Sequence, residues 1–145
     1  MTKQSILCGV FGLFSILVQA QKTDYALVEE TVNYYLNGGT NNDFETLKKA
    51  FHDNATMKFM GDEGYKEVNA LEFFGNAMKE GGKVNRKTLV SEITITGKAA
   101  NARLEIIYPD ATVVDYMNLL KFDDGWKIVN KIFDVRSLKK LFPDE

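Results

Sequence analysis

The hydrophobic positions follow two different periods along the chain, and the switch between them predicts the architecture. "YALVEETVNYYLN" places Val28, Val32, Tyr35 and Leu36 on one side of a 3.6-residue spiral, with Asp24 as N-cap and Gly38-Gly39 as the stop. "NDFETLKKAF" opens on Asn42-x-x-Glu45, a capping box, and aligns Phe44, Leu47 and Phe51 along one stripe. Two short helices folded as a hairpin across a glycine-rich turn are predicted. From Ala55 the period falls to two. "ATMKFM", a turn at 61–64 and "YKEV" read as a short strand pair. A third helix follows, opened by Asn69-x-x-Glu72, carrying Leu71, Phe74 and Met78 on one face and stopped by Gly81-Gly82. The rest is β. Long runs at 88–96, 99–108 and 112–122 and a fourth at 126–133 are separated by Gly97-Lys98, Pro109-Asp110 and Asp123-Asp124-Gly125. The order α-α-β-β-α-β-β-β-β predicts an α+β fold with a strongly bent antiparallel sheet around the helices.

Alternation within the long strands assigns faces. Ala100, Ala102, Leu104, Ile106 and Tyr108 point one way; Val114, Tyr116, Asn118, Leu120 and Phe122 share a side of the next strand. The last strand sends Trp126, Ile128, Asn130 and Ile132 to one face, and Lys127, Val129, Lys131 and Phe133 to the other. Asn118 and Asn130 therefore stand on otherwise apolar faces. Burying an unpaired amide costs about 1–3 kcal/mol, so each needs a partner in backbone, water or ligand. This is the first hint of a cavity spotted with polar groups.

Composition removes several classes of function. The first 20 residues, "MTKQSILCGVFGLFSILVQA", carry Lys3, an apolar run and Val18-Gln19-Ala20, the pattern of a cleaved export signal rather than a bilayer span. The expected organisation is a signal peptide at 1–20 and a single domain at 21–145, secreted or periplasmic and with no stable membrane insertion after cleavage. Cleavage would remove Cys8, the only cysteine, and with it disulfides, thiolate nucleophiles and zinc–cysteine sites. The net charge of −2 excludes a phosphate-binding stripe unless cations cluster; "KVNRK" and Lys139-Lys140 read as solvated element ends, so no nucleic-acid partner is expected. One histidine and scattered carboxylates give no metal-ligand spacing, and no metal or cofactor is expected. Ser91 and Ser137 lack a G-x-S-x-G context.

The segments "YYLNGGTNNDFETLKKAFHDNATMKF", "ARLEIIY" and "VDYMNLLKFDDGWKIVNKIF" resemble the "putative lumazine-binding" branch of the nuclear transport factor 2-like superfamily, over about Asp24 to Arg136. The resemblance implies a cone-shaped barrel, its curved sheet and helices enclosing a pocket. The superfamily includes ketosteroid isomerases, scytalone dehydratase, SnoaL-like cyclases, binding proteins and oligomerising scaffolds, so it leaves the chemistry open. Laid on a ketosteroid isomerase, the enolate-stabilising tyrosine falls on Tyr35, the aspartate base on Phe59, and the neutral acid on Asn118. Phe59 accepts no proton, so isomerase activity should be lost.

The expected function is binding of a small, mostly apolar or aromatic molecule, without turnover, in a pocket lined by Tyr35, Phe59, Tyr116, Asn118, Trp126 and Asn130. Two alternatives stand beside it. The first is a SnoaL-like cyclase or lyase, or an isomerase-type enzyme, with His52 as base helped by Asp115. For His52 the structural reading is a capping residue at the helix-to-strand corner; for Asp115 it is a bulge, or a pair with Lys131 or Arg103. The second alternative is an interaction module with a filled core, forming a homodimer through the outer sheet face by way of Val129 and Phe133.

Overall fold

The computed structural model describes residues 22–78 and 81–137; the leader expected at 1–20 lies outside the described residues. Helix α1 spans Asp24–Asn41 and begins one residue earlier than expected, because the Thr23 hydroxyl, not Asp24, accepts the Ala26 N–H. It also runs through Gly38-Gly39 and ends at Asn42, whose left-handed backbone (φ 55°) returns its N–H to the Gly38 carbonyl. The glycines are there for close approach. Gly38 faces the Leu47 backbone and the Asp43 carbonyl, where a side chain has no room. Asp43 then caps α2 (Phe44–Leu47) by accepting the Thr46 N–H, in place of the Asn42 box that the spacing suggested. A 3-10 turn at Lys48–Ala50 leads directly into the first strand.

Strands β1 (Phe51–Gly61) and β2 (Gly64–Asn69) form the expected hairpin, and Asn69 caps α3 (Ala70–Ala77) as its box predicted. β3 (Lys87–Thr96), β4 (Ala99–Ile107), β5 (Ala111–Phe122) and β6 (Gly125–Ser137) follow as a meander. The turn into β6 needs glycine, since Gly125 has φ 121°. All six strands form one curved sheet in the order β2-β1-β6-β5-β4-β3. It is mixed, not wholly antiparallel: β1 and β6 run parallel, joining the first strand to the last. It is also open, with β2 and β3 as its two edges, so the cone is not a closed barrel. Helix α1 lies against β6 and β3 inside the curve, and α3 covers β1 and β2.

The inner faces differ from simple alternation at one place. Asn118 pairs with Asn130 but Leu119 with Ile128, so Val129 is an extra residue in β6. A bulge of this kind reverses the phase of everything beyond it. Trp126 and Ile128 point inward before it; Lys131 and Phe133 point inward after it, while Asn130 and Ile132 point outward. Inward rows therefore run across the sheet as Met57, Lys131, Met117 and Ala102, then Phe133, Asp115 and Leu104, then Val135, Val113 and Ile106. Val135 in the last row is 48% exposed, which marks this end of the cone as open.

Gly38→Ala should lower stability by about 1–3 kcal/mol, the range for overpacking, although alanine gains up to about 1 kcal/mol in a helix interior. Urea unfolding of the variant beside the wild type checks this, with Gly82→Ala, which meets nothing, as the neutral control.

Candidate functional site

Asp115 is the residue around which the inner surface is organised. It interrupts the apolar row of β5 and is completely buried (0% exposed), with Lys131 (3%) and Tyr35 (4%) beside it. The Tyr35 hydroxyl donates to Asp115 Oδ2 at 2.7 Å, and the Lys131 ammonium donates to Oδ1 at 2.6 Å. Three elements bring these groups together: the middle of α1 carries Tyr35, β5 carries Asp115, and the bulge in β6 turns Lys131 inward. The Lys131 ammonium also lies 3.8 Å from the centre of the Phe133 ring, a cation–π contact.

Burial pushes the Tyr35 phenol well above its ordinary value of 10.0, and the Asp115 charge and hydrogen bond add to this, so the phenol stays neutral and donating. Burial pulls the Lys131 ammonium below its ordinary value; the Asp115 charge opposes that shift and the nearby Arg86 guanidinium assists it. Arg86 itself reaches over Gly39 to bond the Thr40 and Tyr108 hydroxyls and the Leu36 carbonyl, closing the C-terminal end of α1. One ammonium and one carboxylate are thus buried together, with the half-buried Arg86 guanidinium near enough to act on the ammonium.

An apolar cleft shares Phe133 with the surroundings of this trio. The β1–β6 ladder ends at Lys58–Ile132, while β1 continues to Gly61 and β6 to Ser137. The strands part there. A cleft of about 310 Å³ opens in the fork, lined by Phe59, Met60, Tyr65, Tyr116, Ile132 and Phe133, with Lys58 and Asp134 at its edge. Phe59 and Phe133 pack ring on ring at 4.9 Å. Phe133 is therefore both a wall of the cleft and the surface on which the Lys131 ammonium rests.

The residues expected to line one pocket are divided among four places. Tyr35 is inside, and Phe59 is half-buried in the cleft wall. Trp126 is buried as a plug: its indole N–H donates to Asp24 Oδ1 at 3.2 Å and its carbonyl accepts from Thr31, so the hairpin seals the core against α1. Tyr116, Asn118 and Asn130 face outward. The two asparagines belong to a chain of amides across four strands, Asn101 to Asn118 (3.0 Å), Asn118 to Asn130 (3.2 Å), and Asn130 to the Thr56 hydroxyl (3.1 Å). The amides thus find their partners in one another, and Asp115, not Asn118, is what Tyr35 meets. Phe133 is half-buried, its ring against the Lys131 ammonium and in the wall of the cleft, and not on the outer face where the dimer alternative placed it.

His52 is the second residue of β1, where the β1–β6 register shifts. Its Nδ1 accepts the Asn54 N–H at 3.1 Å and its ring stacks on Phe122 at 4.9 Å. Asp115 stands opposite Phe133, five residues along β6 from the Ile128 that faces Phe51, roughly 15 Å at the rise of a strand. His52 and Asp115 do not form a dyad. The sequence offered Lys131 as a structural partner of Asp115, and the structure makes that pair; simple alternation gave the lysine no inward role, so it was not expected among the site residues. Among the described residues there is no group of three potential metal ligands and no helix long and apolar enough to cross a membrane.

Tyr35→Phe should cost about 1.5–3 kcal/mol near neutral pH, the worth of a hydrogen bond to a charged acceptor. Because the folded-state phenol is raised, this stability is complete below about pH 10.0 and is lost as pH climbs beyond it, so the two proteins should converge in strong alkali. Denaturant melts of both across pH 7–11 check the sign. Lys131→Met strands the buried carboxylate and should cost about 3–5 kcal/mol at neutral pH, recovered in large part by Lys131→Met with Asp115→Leu.

Comparison with known proteins follows the same fold. The model of the "putative lumazine-binding" family matches residues 23–134. An aldolase, FrzH, of Cladobotryum sp is 25% identical over 113 residues, covering 77% of this chain and 90% of its own. The crystal structure of an NTF2-like protein of unknown function from Shewanella baltica OS155 superposes with a TM-score of 0.71 at 24% identity, over 80% of this chain and 98% of that one. A ketosteroid isomerase-like protein from Erwinia carotovora atroseptica SCRI1043 does so at 0.65 and 14% identity, over 81% and 99%. The fold is thus that of the nuclear transport factor 2-like superfamily, and the chain belongs to its "putative lumazine-binding" family.

Proposed function

We propose that the domain binds a small, mostly apolar molecule at the open end of its cone, with Tyr35, Asp115 and Lys131 meeting the polar group of that molecule. One observation carries the reading: a completely buried ion pair stands a single aromatic ring away from an apolar cleft. A buried pair seldom improves stability over hydrocarbon of the same volume, so its presence here favours a binding role. The cleft volume lies at the lower end of the range for small-molecule sites. Phe59 and Tyr116 keep the role of pocket walls that the sequence suggested. Trp126, Asn118 and Asn130 give theirs to Tyr65, Ile132 and Phe133. Export by a leader at 1–20 belongs to the same reading and is supported by the sequence alone.

The matched aldolase lends support to a ligand with a carbonyl group. In a thermal-shift screen of lumazine, pterins, aromatic aldehydes and short fatty acids, at least one class should raise the melting temperature by several degrees. Tyr35→Phe should weaken that ligand about 10–100-fold, the equivalent of one charge-assisted hydrogen bond. A screen with no shift in any class sinks the proposal.

A second reading concerns the outer face, where Met60 (74% exposed), Tyr65, Tyr116, Leu120 and Ile132 leave apolar surface in water. It would bury this surface in a homodimer. Sedimentation should then show a dimer for the wild type and a monomer for Ile132→Lys; a wild-type monomer at micromolar concentration refutes it.

A further inference from the structure

We infer that Lys131 is a carbonyl-reactive amine, condensing with an aldehyde or ketone admitted past Phe133 while Asp115 relays the protons. The inference rests on the proposal that the trio faces the ligand, and it names the chemistry of that ligand.

Geometry is the first support. The Lys131 ammonium has one carboxylate oxygen at 2.6 Å, the Phe133 ring at 3.8 Å and the Tyr35 ring at 5.9 Å. The bulge at Val129 is what aims it inward; without the extra residue the lysine would lie in solvent on the outer face. Asp115 is divided between two tasks. Its Oδ2 is held by the Tyr35 hydroxyl, which leaves Oδ1 free to exchange a proton with the amine. Removal from water lowers the cost of the neutral amine, the form that attacks carbon, as Arg86 does through its charge. Among the described residues, Phe133 is the ring that touches both this nitrogen and the cleft.

The steps balance without a co-reactant. The ammonium gives a proton to Asp115 Oδ1. The neutral nitrogen attacks the carbonyl carbon, the C–N bond forms, and the π pair moves to oxygen, which takes the proton back from Asp115. The nitrogen then gives Asp115 a second proton, which Asp115 passes to the new hydroxyl. Water leaves as the nitrogen lone pair closes the C=N bond. The products are a protonated imine on Lys131, paired with the restored Asp115 carboxylate, and one water. Tyr35 remains neutral throughout and keeps the carboxylate in position.

The test is reductive trapping of the purified protein with benzaldehyde and cyanoborohydride at neutral pH, read by intact mass and peptide mapping. One benzyl adduct should form on Lys131 before any exposed lysine reacts. Lys131→Arg should abolish it, and Phe133→Ala, which removes the ring over the amine, should speed it several-fold. Benzyl alcohol, which binds but cannot condense, separates this inference from the binding proposal. If benzyl alcohol raises the wild-type melting temperature and no adduct appears on Lys131 in either the wild type or Phe133→Ala, the amine chemistry is wrong and binding stands. If modification is confined to exposed lysines and neither benzyl alcohol nor any class of the thermal-shift screen gives a shift, both fail.

Discussion

The interior of this domain depends on a carboxylate that hydrocarbon alone would not tolerate. Moving an unpaired carboxylate out of water costs several kcal/mol even after the protein relaxes, so Asp115 is stable only because a phenol and an ammonium converge on its two oxygens. That requirement fixes three pieces of backbone relative to one another. It sets the rotation of α1, which must present Tyr35; the phase of β5, whose other face is equally apolar; and the bulge in β6, which delivers Lys131. No buried side-chain polar atom among the described residues lacks a partner. The charges are thus woven into the packing.

Much of the fold was readable from periodicity and punctuation. The capping box at Asn69, the turn at Gly125 and the order of all nine elements follow from local physics, because caps and tight turns are decided by residues within a few positions. What was not readable depended on distant partners. Gly38-Gly39 suggested a helix end, whereas their role is to let α2 and Arg86 approach a continuing helix. β5 offered two faces of similar hydrophobicity, Val114-Tyr116-Leu120 and Val113-Met117-Leu119, and only partners 16 and 80 residues away decide that the face bearing Asp115 is the buried one. A single bulged residue then moved Asn130 out and Lys131 in. Of the anticipated pocket, Asn130 was lost to that phase error and Tyr116 and Asn118 to the choice of face on β5, so the amides expected to meet a ligand serve the outer surface.

The same fold carries ketosteroid isomerase-like proteins and others of unknown function, so the site has to be argued from its own groups. Here the isomerase positions are only partly kept. Tyr35 points inward as such a tyrosine would, Phe59 offers no base, and the residue facing the phenol is an anion. An anion there would repel an enolate, which argues for a ligand that engages the ammonium and not the phenol alone. On the binding role proposed above, such an interior suits an electrophile better than a carbanion.

The parallel pairing of β1 with β6 has a consequence for how the molecule comes into being. Every other neighbouring pair in the sheet is a hairpin that can zip from its turn, but β1 must wait about 70 residues for its second neighbour. Closing so long a loop is slow compared with local pairing, and it makes topology set the folding rate. A ribosome that has released only the first five strands has made two separate sheets, one hairpin and one meander, with Tyr35 and Asp115 lacking their cation. The last strand is the keystone, and the domain becomes a single cooperative unit only when its final dozen described residues have emerged.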